Sequence, residues 1–294
     1  MNFRTDLALE AVKLSNEQSK GITQKSEIIN ELEINKVTIE TDEASKSIGK
    51  QKGEYITISL PTLTDNYRDI EDKVEIISKQ IRRLLPNKGL VFVVGLGNSN
   101  ITPDALGPQT IKDILATRHI TGEIARSTGL EALRPVASIA PGVLGQTGMD
   151  VVEVIEGIIK KIRPVAVIVI DALASMESKR LGTTIQISNT GISPGSGVGN
   201  KRPGINKETI GIPVISIGVP TVVDAQTMAT DILESMGKSE NLKIKEKTNP
   251  RGESMMVTPR EIDLLIERAS KLLAMSINAA LQVDFSLKDI MSLV

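Results

Sequence analysis

The chain has 294 residues, a length that allows one or two domains. Its 35 Lys and Arg residues nearly balance its 36 Asp and Glu residues, which argues against a dedicated nucleic-acid partner, because nucleic-acid-binding domains usually carry a basic excess. The absence of cysteine and the single histidine exclude disulfides, thiolate metal sites, cysteine nucleophiles and any mechanism that needs two histidines.

The first part of the chain is predicted to contain two helices and a β-hairpin. Residues 7–19 have apolar side chains at helical spacing, and residues 70–85 form a longer amphipathic pattern of the same kind. Residues 33–40 and 54–60 are rich in β-branched side chains and partly alternate, which predicts a hairpin with a long polar tip. We therefore expect a β-rich insertion at about residues 28–60.

Three continuous apolar runs, at residues 90–95, 165–170 and 213–218, have the composition of strands buried on both faces of a sheet. Helical patterns at residues 108–116 and 151–162 lie between the first two runs. Strands that alternate with helices predict an α/β fold: an open, mostly parallel sheet flanked by helices.

The remaining elements are a weaker strand at residues 183–187, which we place at a sheet edge, and a long C-terminal helix at residues 261–281. Residues 238–253 are polar and are predicted to form a loop. The apolar runs are far shorter than the roughly 20 residues that span a membrane. The first six residues contain no apolar signal core, so we expect a cytoplasmic protein without a membrane partner.

Two glycine-containing motifs suggest functions that their contexts disfavour. Residues 95–100, Gly-Leu-Gly-Asn-Ser-Asn, begin like a dinucleotide-binding fingerprint, but Asn100 takes the place of the third glycine, so a tight strand-exit loop is favoured. Residues 191–195 match the Gly-x-Ser-x-Gly pattern of serine hydrolases, but Pro194 and a glycine-rich run follow the serine instead of a helix.

Two aspartates have a more informative placement. Asp171 follows the apolar run 165–170, and Asp104 lies in the loop after the run 90–95. Ligands of open α/β sheets bind beyond the carboxyl ends of the strands, so neighbouring strands would bring both carboxyl groups to one crevice. Such a pair shares a proton, and one member acts as a base for water while the other acts as an acid for the leaving group. The alternative is that each aspartate caps a helix.

Asp224 is a third candidate, but its position before the helical pattern 225–233 favours an N-cap role. The lone His119 could join Asp104 and Asp171 in a metal site, although no spacing of ligand residues supports one. We predict no metal and no cofactor.

Six stretches resemble the germination protease family, the spore endopeptidases that degrade small acid-soluble spore proteins. They occur in order along most of the chain: Arg4–Ala8, Val94–Asn98, Thr102–Pro108, Ala140–Met149, Ile170–Ala174 and Ser193–Asn200. The resemblance implies an atypical aspartic endopeptidase, made as an inactive precursor in the developing spore, with a core similar to that of hydrogenase maturation endopeptidases. It also implies a homotetramer.

The same resemblance assigns the catalytic pair to Asp104 and Asp171 and places self-cleavage between Asp6 and Leu7. The expected propeptide is residues 1–6, followed by one α/β peptidase domain over residues 7–294. The substrates it implies are small acid-soluble, DNA-binding spore proteins, and it assigns no substrate-binding residues. Two alternatives remain: a metal-sensing maturation endopeptidase on the same fold, and a nucleotide-binding regulatory protein that uses Gly95–Asn98.

Overall fold

A single mixed sheet of nine strands organises the part of the chain that the structure, a computed structural model, describes: residues 4–15, 20–63, 70–193, 204–235, 248 and 255–294. In chain order the strands are β1 Ile22–Ile29, β2 Leu32–Ile39, β3 Gly53–Ser59, β4 Val91–Gly95, β5 Val136–Ile139, β6 Ala166–Ser175, β7 Thr184–Ser188, β8 Val214–Asp224 and β9 Met256–Val257. Their spatial order is β1-β2-β3-β7-β8-β6-β4-β5, and β9 pairs with β8.

Helices cover both faces of this sheet. Those within the described residues are α1 Ala8–Leu14, α2 Asp42–Ile48, α3 Ile70–Leu84, α4 Leu106–Lys112, α5 Gly122–Thr128, α6 Leu144–Thr147, α7 Val151–Ile162, α8 Lys207–Ile210, α9 Ala225–Ser235, α10 Ile262–Leu281 and α11 Leu287–Leu293. Among the residues that were placed, none of these helices has the length and apolar character needed to cross a membrane.

One half of the sheet is parallel and confirms the predicted α/β fold. Strands β5, β4, β6 and β8 run in the same direction, and helix α7 connects β5 to β6. Helix α7 has the bounds expected from the sequence. Asp150 caps its start by accepting a hydrogen bond from the Val152 amide at 2.8 Å, and the chain leaves the helix at Arg163, whose φ is +49°.

The other half of the sheet is antiparallel and continuous with the first. The predicted hairpin is confirmed as β2 and β3, and its polar tip contains α2. Strand β1, which the sequence did not indicate, pairs with β2 through a turn in which Asn30 and Glu31 both have positive φ. Most of its residues are exposed, so no buried face marks it in the sequence.

Strand β7 joins the two halves, and its predicted edge position is wrong. It pairs with β3 on one side and with β8 on the other, both antiparallel. The first helix is shorter than expected, ending at Leu14, and residues 16–19 lie outside the described part of the chain. The predicted loop 238–253 also lies outside it, apart from Thr248.

Alternate residues of the central strands face two different apolar layers. In β4, Val91 and Val93 pack into the core beneath α3 and α10, whereas Phe92 and Val94 pack against α7 on the opposite face. The α7 face carries a second, separate apolar cluster near α1 and α2, which includes Ala8 and Tyr55. Polar residues and glycine of β7 and β8 occupy the space between these two clusters, and the candidate site lies there.

Candidate active site

Asp171 lies within a strand and not at its end, which corrects the expectation from the sequence. Strand β6 continues to Ser175 because β8 runs beside it as far as Asp224 and keeps pairing with it. Ile168 and Ile170 face the α3 layer, so Asp171 faces the opposite, α7 side of the sheet. The strand thus places the Asp171 carboxyl group between the apolar cluster under α7 and the apolar cluster near α1 and α2.

Asp104 is the last residue of a short 3-10 turn, Thr102–Asp104, that follows β4. Its Oδ2 accepts a hydrogen bond from the Asn98 amide at 2.8 Å, and Thr221 on β8 donates to the Pro103 carbonyl at 2.7 Å. Gly97 is required for this fit, because a Cβ atom there would lie 1.9 Å from the Asp104 carbonyl oxygen. Residues 95–98 therefore form a tight strand-exit loop, as predicted, and this loop also supports Asp104.

The two carboxyl groups interact, since β4 and β6 are neighbouring strands. Burial raises the pKa of Asp171 well above its usual range, and the negative charges of Asp104 and then Asp6 raise this pKa further. The Ala172 amide donates to Asp171 Oδ1 at 2.9 Å and opposes the shift only in part. A buried carboxyl group with a raised pKa can act as a proton donor under conditions in which an exposed aspartate is fully ionised.

The N-terminal segment is held directly against this region. The Asp6 amide donates to the Ala174 carbonyl at 2.8 Å, and the Ala174 amide donates back to Asp6 Oδ2 at 2.9 Å. On the other side, Gln186 Nε2 donates to the Asp6 carbonyl oxygen at 3.1 Å, while Gln186 Oε1 accepts from the Ala8 amide at 2.8 Å. The predicted Asp6–Leu7 junction is thus fixed by β6 and β7 together.

Glu10 anchors the chain after the junction. It is fully buried and accepts hydrogen bonds from the Met176 amide at 2.7 Å and the Glu177 amide at 3.0 Å. Arg180 Nε lies 3.2 Å from Glu10 Oε1, and the Thr5 hydroxyl also donates to this carboxyl group. Burial nevertheless raises the pKa of Glu10, because the loss of hydration outweighs these partners.

Lys50 brings a positive charge to the same place. It follows α2, and its Nζ donates to the Thr5 carbonyl at 3.0 Å. Burial lowers the pKa of Lys50, while the negative charges of Asp6 and Glu10 raise it and so favour the charged amine. A cavity of about 160 Å³ opens beside these groups and is lined in part by Asp6, Lys50, Gln186, Ser193 and Gly218.

The structure separates the other candidates from the pair. Asp224 caps α9, as the favoured interpretation predicted: its Oδ1 accepts from the Thr227 amide at 2.9 Å, and its Oδ2 lies 3.4 Å from Arg4 Nη1. His119 is exposed in the turn after α4, and within the described ranges no three His, Asp or Glu side chains have the arrangement of a metal site. Ser193 lines the cavity, but residues 194–203 lie outside the described part.

Sequence reasoning did not identify Lys50 or Gln186 as functional residues. Gln186 does leave a signal: β7 reads Thr184-Ile185-Gln186-Ile187-Ser188, and all five residues are buried. When a strand is buried on both faces and one face is polar, the polar side chains must form hydrogen bonds with other parts of the protein or with a ligand. Lys50 leaves no comparable signal, because it follows a polar helix and resembles any surface lysine.

Comparison with known proteins identifies the family of the chain. The family model described as germination protease matches residues 4–251. The chain is 42% identical to the germination protease of Caldanaerobacter subterraneus, in an alignment that covers 98% of this chain and 97% of the relative. It is also 42% identical to that of Clostridium acetobutylicum, with 98% of both chains covered, and 38% identical to that of Bacillus cereus, with 96% and 95% covered.

Among solved structures, the [NiFe] hydrogenase maturation protease HycI of Thermococcus kodakarensis is 16% identical, with a TM-score of 0.35, and the match covers 67% of this chain and 98% of that one. The strand pairing described above, and not this similarity, defines the fold. The nearly full-length matches in sequence carry the assignment: the chain belongs to the germination protease family and is an endopeptidase that acts in spore germination.

Proposed function

We propose that this endopeptidase is of the aspartic type, that Asp104 and Asp171 activate its water, and that it removes its own leader, residues 1–6. We further propose that the mature enzyme begins the degradation of small acid-soluble, DNA-binding spore proteins in the spore core. One observation carries the proposal: the Asp6–Leu7 junction is bound to the strand that holds Asp171, close enough for the Asp6 charge to raise the Asp171 pKa.

The reaction needs one protonated and one ionised carboxyl group. The ionised member takes a proton from water as the water oxygen bonds to the Asp6 carbonyl carbon, and the carbonyl electron pair moves to its oxygen. When the tetrahedral intermediate collapses, the carbon–nitrogen bond breaks and the protonated member gives its proton to the Leu7 nitrogen. Burial beside a second carboxyl group favours the singly protonated state that this sequence requires.

The same contacts support cleavage after an acidic residue. The Asp6 carboxylate accepts a hydrogen bond from the Ala174 amide and interacts electrostatically with the half-buried Lys50. Leu7 and Ala8, which follow the junction, are fully buried. Burial of a leucine side chain contributes roughly 1.5–3 kcal/mol. A substrate with an acidic residue, a large apolar residue and alanine in this order would make the same contacts.

The docked leader also supports a latent precursor. It is bound to Ala174 on the strand that carries Asp171, and Arg4 extends the contact to Asp224 at the end of β8 and to Thr227 on α9. The negative charges of Asp104 and Asp6 favour the protonated form of Asp171, and mild acidification increases the population of that form, so it favours the reaction. We also propose a homotetrameric assembly, which rests on the family resemblance alone.

Self-processing is tested by the intact mass of the purified full-length chain during incubation under mildly acidic conditions. We expect the wild-type chain to lose residues 1–6 and no others. The Asp104→Asn and Asp171→Asn chains should keep their leader, because an amide cannot exchange the shared proton. Maturation of pure Asp171→Asn chain on its own would refute self-processing.

The metal-dependent alternative is tested in the same assay. A strong chelator is expected to leave leader removal unchanged. Loss of activity with the chelator, followed by recovery on addition of zinc or nickel, would replace the aspartic mechanism with a metal-dependent one.

A further inference from the structure

A single side chain binds the backbone on both sides of the predicted cleavage site. Gln186 Nε2 donates to the carbonyl oxygen of Asp6, the residue before the junction. Gln186 Oε1 accepts from the amide of Ala8, two residues further along the chain. An amide side chain can do both at once because it carries a donor and an acceptor on one planar group. The peptide bond between Asp6 and Leu7 is therefore held in one orientation.

The register of the sheet relates Gln186 to Asp171. Gln186 on β7 is paired with Gly218 on β8, and Gly218 is paired with Asp171 on β6. Paired residues of neighbouring strands project from the same face, so the side chains of Gln186 and Asp171 lie on one side of the sheet, two strands apart. Two strand spacings correspond to about 10 Å, which is enough for a peptide backbone to lie between them.

Gly218 lies between these two side chains in the register of the sheet, and its lack of a side chain leaves room for Leu173. A Cβ atom at this position would lie 2.6 Å from Leu173 Cγ and 2.7 Å from the Asp171 carbonyl oxygen. A larger residue would displace Leu173, which lines the cavity together with Asp6 and Gln186. The row Gln186–Gly218–Asp171 thus consists of a hydrogen-bond donor, a glycine and an acid at three consecutive positions across the sheet.

We propose that Gln186 is a catalytic residue of this endopeptidase, whose Nε2 hydrogen bond stabilises the negative charge that develops on the carbonyl oxygen of the cleaved bond. This inference rests on the proposed self-cleavage at Asp6–Leu7. When the water oxygen bonds to the carbonyl carbon, the carbonyl oxygen receives the electron pair, and its hydrogen bond from Gln186 strengthens. No proton passes to or from Gln186, and the charge disappears when the carbon–nitrogen bond breaks.

A purely structural role makes a different prediction. Gln186 is buried, and if its two hydrogen bonds only fixed the N-terminal segment, their loss would lower stability without a specific effect on the chemical step. Leader removal within one chain is a first-order process, so its rate constant reports the chemical step on a segment that is already bound. Thermal unfolding, measured in parallel, reports the structural contribution.

The experiment compares three full-length variants by intact mass over time. In Gln186→Met, which keeps the length but lacks both polar atoms, leader removal should slow by about 100-fold or more, the usual effect of losing one donor to such an oxygen. Ser188→Ala is the matched control, because Ser188 lies two residues along the same buried strand and bonds to Thr190 instead of the leader. It should process close to the wild-type rate.

Gln186→Glu tests the same role of Gln186 if Gln186→Met does not fold. Its ionised carboxylate can accept from Ala8 but cannot donate to Asp6, so processing should be slow at neutral pH. As the pH falls the carboxyl group regains a donor, and the rate relative to wild type should rise. Wild-type rates in folded Gln186→Met, or a pH-independent ratio for Gln186→Glu, would overturn the role of Gln186. Leader removal by Asp171→Asn would instead overturn the proposed function itself.

Discussion

The two halves of the sheet contribute different parts of the site. The parallel half, β5-β4-β6-β8, supplies the carboxyl groups: Asp171 from β6 and Asp104 from the turn after β4. The antiparallel half, with the helix inserted in its hairpin, supplies Gln186 and Lys50, which bind the leader backbone. In the proposed mechanism, the chemistry and the recognition of the chain to be cut thus come from separate regions that meet at β7 and β8.

The largest effect is expected from reversing the charge that the antiparallel half recognises. Asp6→Lys should abolish leader removal, because the new cation would face the half-buried Lys50 and would lose the hydrogen bond from the Ala174 amide. Asp6→Glu keeps the charge and should still be processed. Intact mass over time measures both. Efficient removal of a leader that ends in lysine would show that the site does not select an acidic residue.

A smaller effect is expected when Lys50 itself is neutralised. Lys50→Met should slow leader removal roughly tenfold, a coupling within the 0.5–3 kcal/mol measured for interacting pairs. The double variant Asp6→Asn/Lys50→Met should be no slower than the slower single variant, because the interaction is already absent. Lys52→Met is the control, since Lys52 is exposed and pairs with Asp42 on the surface. If the two substitutions slowed leader removal additively in the double variant, Lys50 would not take part in the recognition of Asp6.

The smallest effect concerns the stability of the parallel half. Because the fold raises the pKa of Asp171, its protonated form is favoured in the native state, and its contribution to stability is lost as the pH rises through the folded pKa. Asp171→Asn mimics the protonated form. At pH 7 it should raise the Tm of the full chain by a few degrees, since about 1 kcal/mol shifts Tm by about 2–4 °C at this size.

The Tm difference between Asp171→Asn and the wild-type chain should disappear below the usual aspartate pKa of about 3.9, where the Asp171 carboxyl group is protonated in both the folded and the unfolded chain. Both proteins are compared as precursors whose intact mass shows the leader attached. An asparagine variant that is less stable than wild type at pH 7 would contradict a buried, destabilised carboxylate at this position.

The sequence predicted the parallel half of the sheet better than the antiparallel half. The parallel strands are continuous apolar runs, and the rule that ligands bind beyond their carboxyl ends brought Asp104 and Asp171 together. The prediction placed Asp171 at a strand end, however, because the apolar run stops at this aspartate and the alanines that follow it are not typical of a strand. Only the pairing with β8 shows that the strand extends to Ser175.

The antiparallel half was predicted in outline but not in function. The β-rich, partly alternating pattern predicts the β2–β3 hairpin, whereas the weaker strand pattern at residues 183–187 predicts an edge strand although β7 pairs on both sides. Gln186 contacts residues 178 and 180 positions away, and Lys50 contacts a residue 45 positions away. Contacts of such separation depend on how strands are ordered in space, which local propensity and spacing do not determine.

Glu10 follows the Asp6–Leu7 junction in the sequence, whereas the leader precedes it. The two segments are therefore retained differently after a cut at this junction. Before cleavage, the contacts of Arg4, Thr5 and Asp6 are those of a tethered ligand, whose effective concentration is in the millimolar range for a short connection. In the proposed self-processing, Glu10 still anchors the chain after the Asp6–Leu7 bond is cut, but the six-residue peptide becomes an ordinary dilute ligand. The few contacts that hold the tethered leader in place would then be too weak to retain it, so the proposed activation would proceed in one direction without any rearrangement of the sheet.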